Sequence, residues 1–210
     1  MENQEQLIKS VPSAVNKELK VVMYKGKKLL NTENTNYSYG TLVDVLEYGV
    51  DTLPIDNIKS VLLLGMGAAS IVESLREKYH CYAPVTGVEI DPVVIELAHQ
   101  EFGIDKLNDL EIHNQDAWDF VEQSDKEYDL IIIDIFIDVK VPKRFYDPKF
   151  WSMLEKSVAP NGFVLFNAGI DLEEKDVEKF VSTLPESFIA QENYNVLVSN
   201  TVIMLQKVFF

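Results

Sequence analysis

Val61-Leu62-Leu63-Leu64-Gly65-Met66-Gly67-Ala68-Ala69-Ser70 runs directly into Ile71-Val72-Glu73-Ser74-Leu75-Arg76. Four consecutive apolar residues ending at a glycine pair and passing into a helical pattern read as a buried parallel strand that turns into a helix. Gly65 and Gly67 permit a tight turn and let the backbone approach a ligand, and the free N–H groups of the helix start favour a polar or anionic group there. In nucleotide-binding βαβ units an acid about 20 residues further on holds the ribose hydroxyls. Here that place is taken by Val88-Glu89-Ile90-Asp91, with Glu89 as the expected ribose ligand and Met66 and Ile90 beside it.

The alternation of strand and helix patterns continues on both sides of this stretch. Residues 71–79 read as the first helix and 84–90 as the second strand. Asp91-Pro92 is a helix start, with a capping carboxylate before a proline at the first helical position; that helix runs to about Phe102. Residues 110–113 read as a third strand, ending in Asn114-Gln115-Asp116-Ala117 before a helix around Trp118–Glu122. Tyr128-Asp129-Leu130-Ile131-Ile132-Ile133-Asp134 is apolar enough for a central strand. A helix over 149–158, a turn at Pro160-Asn161-Gly162, a strand over 163–167 and a helix over 171–183 follow. Strands over 188–194 and 197–207, turning near Tyr194-Asn195, close the pattern. The fold class is α/β: a doubly wound sheet, mostly parallel, with an antiparallel closing strand. In such sheets ligands bind beyond the carboxyl ends of the strands, where Gly65, Glu89, Asp116 and Asp134 all fall.

Upstream, residues 1–18 are polar and read as frayed or helical at best. Residues 19–30 read as a short β-hairpin turning near Gly26, which must pack on the main domain or on a second subunit. A loop over 31–40 carries Tyr37 and Tyr39, placed either to close over a ligand or to anchor the loop, and a helix follows from Leu42 to Val50. The domain expectation is an N-terminal extension over 1–52 and a nucleotide-binding domain over 53–210.

Composition narrows the function. The 210 residues are 47% hydrophobic and carry a net charge of −15. The first 30 residues hold six lysines against three acids, so residues 31–210 carry −18. An acidic main domain argues against nucleic acid as a partner. No apolar run approaches membrane-spanning length and the N-terminus lacks a signal peptide's basic and apolar regions, so a cytoplasmic protein is expected. Cys81 stands alone, and His80, His99 and His113 lack ligand spacing, so no metal is expected.

The glycine turn, Val88-Glu89-Ile90-Asp91-Pro92, Asn114-Gln115-Asp116-Ala117 and the Tyr128–Asp134 strand resemble the Rossmann-like fold of class I S-adenosylmethionine-dependent methyltransferases. The N-terminal hairpin, the Tyr37-Ser38-Tyr39 loop and the run Asp134–Phe145 with Phe150-Trp151 resemble its spermidine-synthase-like branch. The resemblance implies S-adenosylmethionine or its decarboxylated form as cofactor. It places Gly65, Met66 and Gly67 under the ligand's tail, Glu89 with Ile90 at the ribose, and Asp116 with Ala117 at the adenine. Asp134, Asp138 and Tyr39 would face the transferred group, and a homodimer through the N-terminal hairpin is implied.

Two departures bear on the reaction. Spermidine synthases carry an aspartate after the glycine turn that pairs with the amine of the decarboxylated nucleoside; here the position is Ala68, which removes a charge-assisted bond worth about 1.5–3 kcal/mol. Aminopropyltransferases set two acids three residues apart, whereas Asp134 and Asp138 are four apart. Lys140, Lys143 and Arg144 follow, and would repel a polyamine unless they point outward. Phe136, Phe145, Tyr146 and Trp151 read as core more readily than as a substrate-stacking set. The expected reaction is therefore methyl transfer to a small-molecule acceptor. The alternative is aminopropyl transfer to a diamine, and a second alternative is nucleotide binding without catalysis. NAD is disfavoured by Ser70 at the third glycine position.

Overall fold

A computed structural model describes residues 5–32, 36–38, 41–137, 140–170 and 172–208. Among these the chain forms two sheets. The first holds β1 (Gln6–Ser13), β2 (Lys17–Tyr24), β3 (Lys27–Asn31) and β4 (Asn36–Ser38), antiparallel in that order. Helix α1 (Thr41–Val50) leads to the second sheet. Its elements are β5 (Val61–Leu64), α2 (Ser70–Glu77), β6 (Val85–Glu89), α3 (Pro92–Phe102), β7 (Leu110–Asn114), α4 (Ala117–Gln123) and β8 (Tyr128–Ile133). They continue with α5 (Pro148–Ser157), β9 (Val158–Ile170), α6 (Glu174–Val181), β10 (Phe188–Val196) and β11 (Asn200–Lys207).

The second sheet runs β10-β11-β9-β8-β5-β6-β7, parallel from β9 to β7, with β11 and β10 antiparallel at one edge. The chain leaves β5 toward β6 and β7, then returns to lay β8 on the other side of β5. That reversal opens a crevice between the ends of β5 and β8, where a doubly wound sheet binds its ligand. The apolar strands are continuous because both faces are covered. Val61, Leu63, Leu130 and Ile132 face α1 and α2, while Leu62, Leu64, Ile131 and Ile133 face Phe120, Trp151 and Phe180 of α4, α5 and α6.

Phe145, Phe150 and Trp151 are at most 1% exposed and pack edge to face, so this aromatic cluster is core. The Trp151 indole N–H reaches the Phe145 carbonyl at 2.9 Å, satisfying the one polar atom that burying a tryptophan strands. The aspartate–proline helix start at Asp91 behaves as read, accepting from Val93 N at 2.9 Å, and the structure repeats the device at Asp147, which accepts from Lys149 N at 2.8 Å.

Four sequence readings are corrected. The segment read as a loop over 31–40 includes the strand β4 (Asn36–Ser38), because β3 offers its polar residues a backbone partner. Residues 6–13 form a strand, not a frayed or helical segment, because β2 supplies the backbone partners that their polar sequence does not advertise. Pro12 is tolerated because β1 is an edge strand. Pro160-Asn161-Gly162 lies inside β9 as an irregularity: Tyr128 pairs with Val158 but Leu130 with Phe163. The closing hairpin turns at 197–199, three residues beyond Tyr194-Asn195, and its register slips between Asn193 and Val196.

The hairpin read over 19–30 is the β2–β3 pair, and it packs on its own main domain. Leu19, Val21 and Leu30 form one buried cluster with Ala68 of the glycine turn and with Val94 and Leu97 of α3. The β1–β2 turn is tied there as well. Asp91 accepts from Asn16 Nδ2 at 2.8 Å and from the Ser13 hydroxyl. No helix among the described residues is long and apolar enough to cross a membrane.

Candidate active site

The crevice is built from its backbone outward. β5 ends at Gly65, whose N–H, like that of Met66, points to the Val88 carbonyl at 3.0 Å. Gly65 has φ +83°, and a Cβ there would lie 2.3 Å from the Asp134 carbonyl oxygen. The ends of β5 and β8 therefore meet backbone to backbone, which only glycine allows. Gly65→Ala should lower stability by about 2–3 kcal/mol, through strain and overpacking together, and the melting temperature by about 5–10 °C. A thermal denaturation within about 2 °C of wild type would contradict this close approach.

Gly67 follows at φ +55° and Ala69, the residue before α2, at φ +58°. Met66 is buried beneath the turn against Gly87.

Glu89, at the end of β6, is 4% exposed. Its Oε2 accepts from Gly67 N at 2.9 Å and its Oε1 from Asp91 N at 3.0 Å. Burial pushes its carboxyl pKa up, and these backbone donors pull against that. The acid read from its spacing braces the glycine turn. Ile90 is 45% exposed at the cleft wall, and Asn114 Nδ2 holds the Glu89 and Ile90 carbonyls at 2.9 and 3.1 Å.

Asp116, after β7, caps α4 by accepting from Trp118 N at 2.8 Å, and Ala117 begins that helix. The second Asp116 oxygen accepts from the Arg144 guanidinium. Arg144 therefore turns across the mouth of the cleft, whereas Lys140 and Lys143 are exposed and line a separate apolar hollow. Of the three cations that follow the acids, two point away from the cleft and one is neutralised at its rim.

Asp134, after β8, is partly buried and accepts from Asn167 Nδ2 at 2.9 Å. Burial pushes its pKa up to about 6, against the Asn167 bond, which lowers it.

Gly65, Met66, Gly67, Glu89, Ile90, Asp116, Ala117 and Asp134 all line one cleft. Two of the expected catalytic residues, Tyr39 and Asp138, lie outside the described residues. The cleft also takes Val43 and Leu46 from α1, and Phe136, Ile137 and Pro142 from the segment after β8. Asn167 was missed by the sequence reading, although a lone asparagine ending the apolar run Phe163–Phe166 was a signal. Among the described residues no group of three His, Cys, Asp or Glu side chains is placed to hold a metal ion.

The model of the spermine/spermidine synthase domain matches residues 45–209. A probable polyamine aminopropyl transferase of Bifidobacterium longum is 30% identical over 112 residues, covering 53% of this chain and 24% of that protein. A polyamine aminopropyltransferase of Oceanobacillus iheyensis is 26% identical over 151 residues, covering 68% and 29%. The matches thus span less than a third of those relatives' length. Among solved structures, a probable spermidine synthase from Corynebacterium glutamicum aligns with TM-score 0.76 at 17% identity, covering 97% of this chain and 81% of that one. Human methyltransferase-like protein 13 in complex with SAH aligns with TM-score 0.65 at 18% identity, covering 81% and 83%. Both show that the fold is Rossmann-like and shared between the two kinds of protein.

Proposed function

The chain belongs to the spermine/spermidine synthase family, and from that premise we propose that it transfers an aminopropyl group from decarboxylated S-adenosylmethionine to a small amine. The observation that carries this reading is the convergence of three carboxylates, Glu89, Asp116 and Asp134, on one cleft at the sheet's reversal point.

The donor set fits such a nucleoside. Glu89 offers a carboxylate to the ribose hydroxyls, Asp116 an oxygen to the adenine amino group, and the Gly65–Gly67 turn a surface free of side chains for the tail. Bound there, the nucleoside supplies a carbon activated by its sulfonium. The remaining work is alignment and proton removal. An alkyl ammonium with pKa near 10.4 must lose a proton before its nitrogen attacks. Asp134, with its pKa raised to about 6, is ionised at neutral pH yet more basic than an ordinary aspartate. Cleft charge supports the decarboxylated ligand: three carboxylates line it together with Arg144, which is already engaged by Asp116.

Methyl transfer from intact S-adenosylmethionine is a second reading, favoured by Ala68. That residue is 4% exposed and packs against Leu19, Val21 and Leu30, so no carboxylate stands there to meet the ligand's amine. Calorimetric titration with both nucleosides separates the two. The proposal expects at least about tenfold tighter binding of the decarboxylated form, which corresponds to one favourable charge contact, and release of methylthioadenosine on adding a diamine. Tighter binding of intact S-adenosylmethionine would select methyl transfer, and binding of neither would overturn both.

A further inference from the structure

β9 carries one buried carboxamide where its apolar run meets the cleft. Asn167 is 0% exposed, as are Val164, Leu165, Phe166 and Ala168 around it. A carboxamide sealed in such a place is destabilising unless both of its ends find partners. Nδ2 donates to Asp134 Oδ1 at 2.9 Å, and Oδ1 accepts from Gly169 N at 3.4 Å.

The second contact exists because β9 bulges. Thr201 of β11 pairs with Gly169 but Val202 pairs with Asn167, leaving Ala168 as the extra residue. Gly169 takes φ +114°, which glycine permits. The Tyr146 hydroxyl donates to the Ala168 carbonyl and holds the bulge from its other side. A backbone N–H can only donate, so the amide end facing Gly169 is the oxygen. The NH₂ end is thereby turned to Asp134.

We propose that Asn167 is a positioning residue: its bond to Oδ1 fixes the direction of the Asp134 carboxylate and leaves Oδ2 to take the acceptor's proton. This rests on the transferase reading above, in which Asp134 is the base. The proton passes from the ammonium nitrogen to Oδ2, and the electron pair of the broken N–H bond stays on nitrogen for attack. Because the Asn167 bond favours the ionised carboxylate, it also keeps Asp134 charged at a lower pH than burial alone would.

The test pairs a titration that needs no activity with one that does. In protein carrying ¹³C-carboxyl aspartate, with the Asp134 signal assigned by its absence in Asp134→Asn, the wild-type midpoint is expected near 6. Asn167→Leu should move it up by at least about one pH unit, the equivalent of losing one bond to a charged acceptor. The acid limb of the kcat profile for methylthioadenosine release should move by the same amount. Turnover at pH 7 should fall about 10–100-fold with the nucleoside KM within about twofold. Asn167→Ala, smaller and equally devoid of a donor, serves if leucine prevents folding. An Asp134 midpoint and a kcat limb that stay put in a folded Asn167 variant would overturn the proposal. Wild-type protein that turns over no amine would instead sink the transferase reading, and the proposal resting on it, even with the midpoint shifted.

Discussion

Asp134→Asn is expected to reduce turnover at least about 100-fold and, above pH 6, to raise the melting temperature. Both effects come from one placement. The carboxylate sits partly buried at the end of β8, where burial raises its pKa from 3.8 to about 6. Asparagine keeps the oxygen that accepts from Asn167 Nδ2 but takes up no proton, so base catalysis is lost while the packing survives. The stability effect has a definite sign. An acid whose folded pKa is raised binds its proton more tightly when folded, so its stabilising contribution is complete below about pH 4. It is lost as pH rises through about 6. Above that the folded wild type holds a carboxylate it would rather not bury, worth about 1–3 kcal/mol when solvent access to the cleft is allowed for. Asparagine has no such titration. Denaturation curves at pH 4 and pH 8 are the check: the variant should gain on wild type only at the higher pH, and equal gains at both would show that Asp134 does not titrate as described.

Glu89→Gln should weaken binding of S-adenosylhomocysteine at least about 100-fold, the loss of two charge-assisted bonds to the ribose at about 1.5–3 kcal/mol each. That nucleoside has the ribose and adenine but no sulfonium, so the titration reads Glu89 apart from charge at the sulfur. Glutamine keeps an oxygen for Asp91 N but turns an NH₂ toward Gly67 N, so two donors face each other where a carboxylate joined them. The glycine turn loses its brace as well as its ligand contact. Stability should therefore fall too, by about 1–3 kcal/mol for a buried donor left unsatisfied. Unchanged affinity would remove Glu89 from the ribose site and leave it the structural role alone.

Much of this architecture was legible in the chain. Strand β5 and residues 130–133 of β8 are apolar on both faces because helices cover both, which makes their sequences continuous runs of valine, leucine and isoleucine. The acids Glu89, Asp116 and Asp134 were legible for a related reason. Each is the first charged residue at or beyond the end of its strand, and strand ends in a doubly wound sheet point to one place.

Other features depend on partners distant in sequence. β1 is a strand because β2 offers it hydrogen bonds, and its own polar residues would suit a loop equally well. Ala68, read as the loss of a carboxylate, is also a packing position, since three side chains of the N-terminal sheet close over it. Arg144, read as one of three loop cations, was drawn to Asp116, 28 residues earlier in the chain. The Asn167–Asp134 bond joins residues 33 apart, and the bulge that orients the amide needs β11 as its reference strand. Hydrophobic periodicity is written locally, so the doubly wound sheet and the acids at its strand ends could be read from the chain alone. Which polar groups meet there depends on register, bulges and side-chain direction, which exist only once strands far apart in the chain lie side by side.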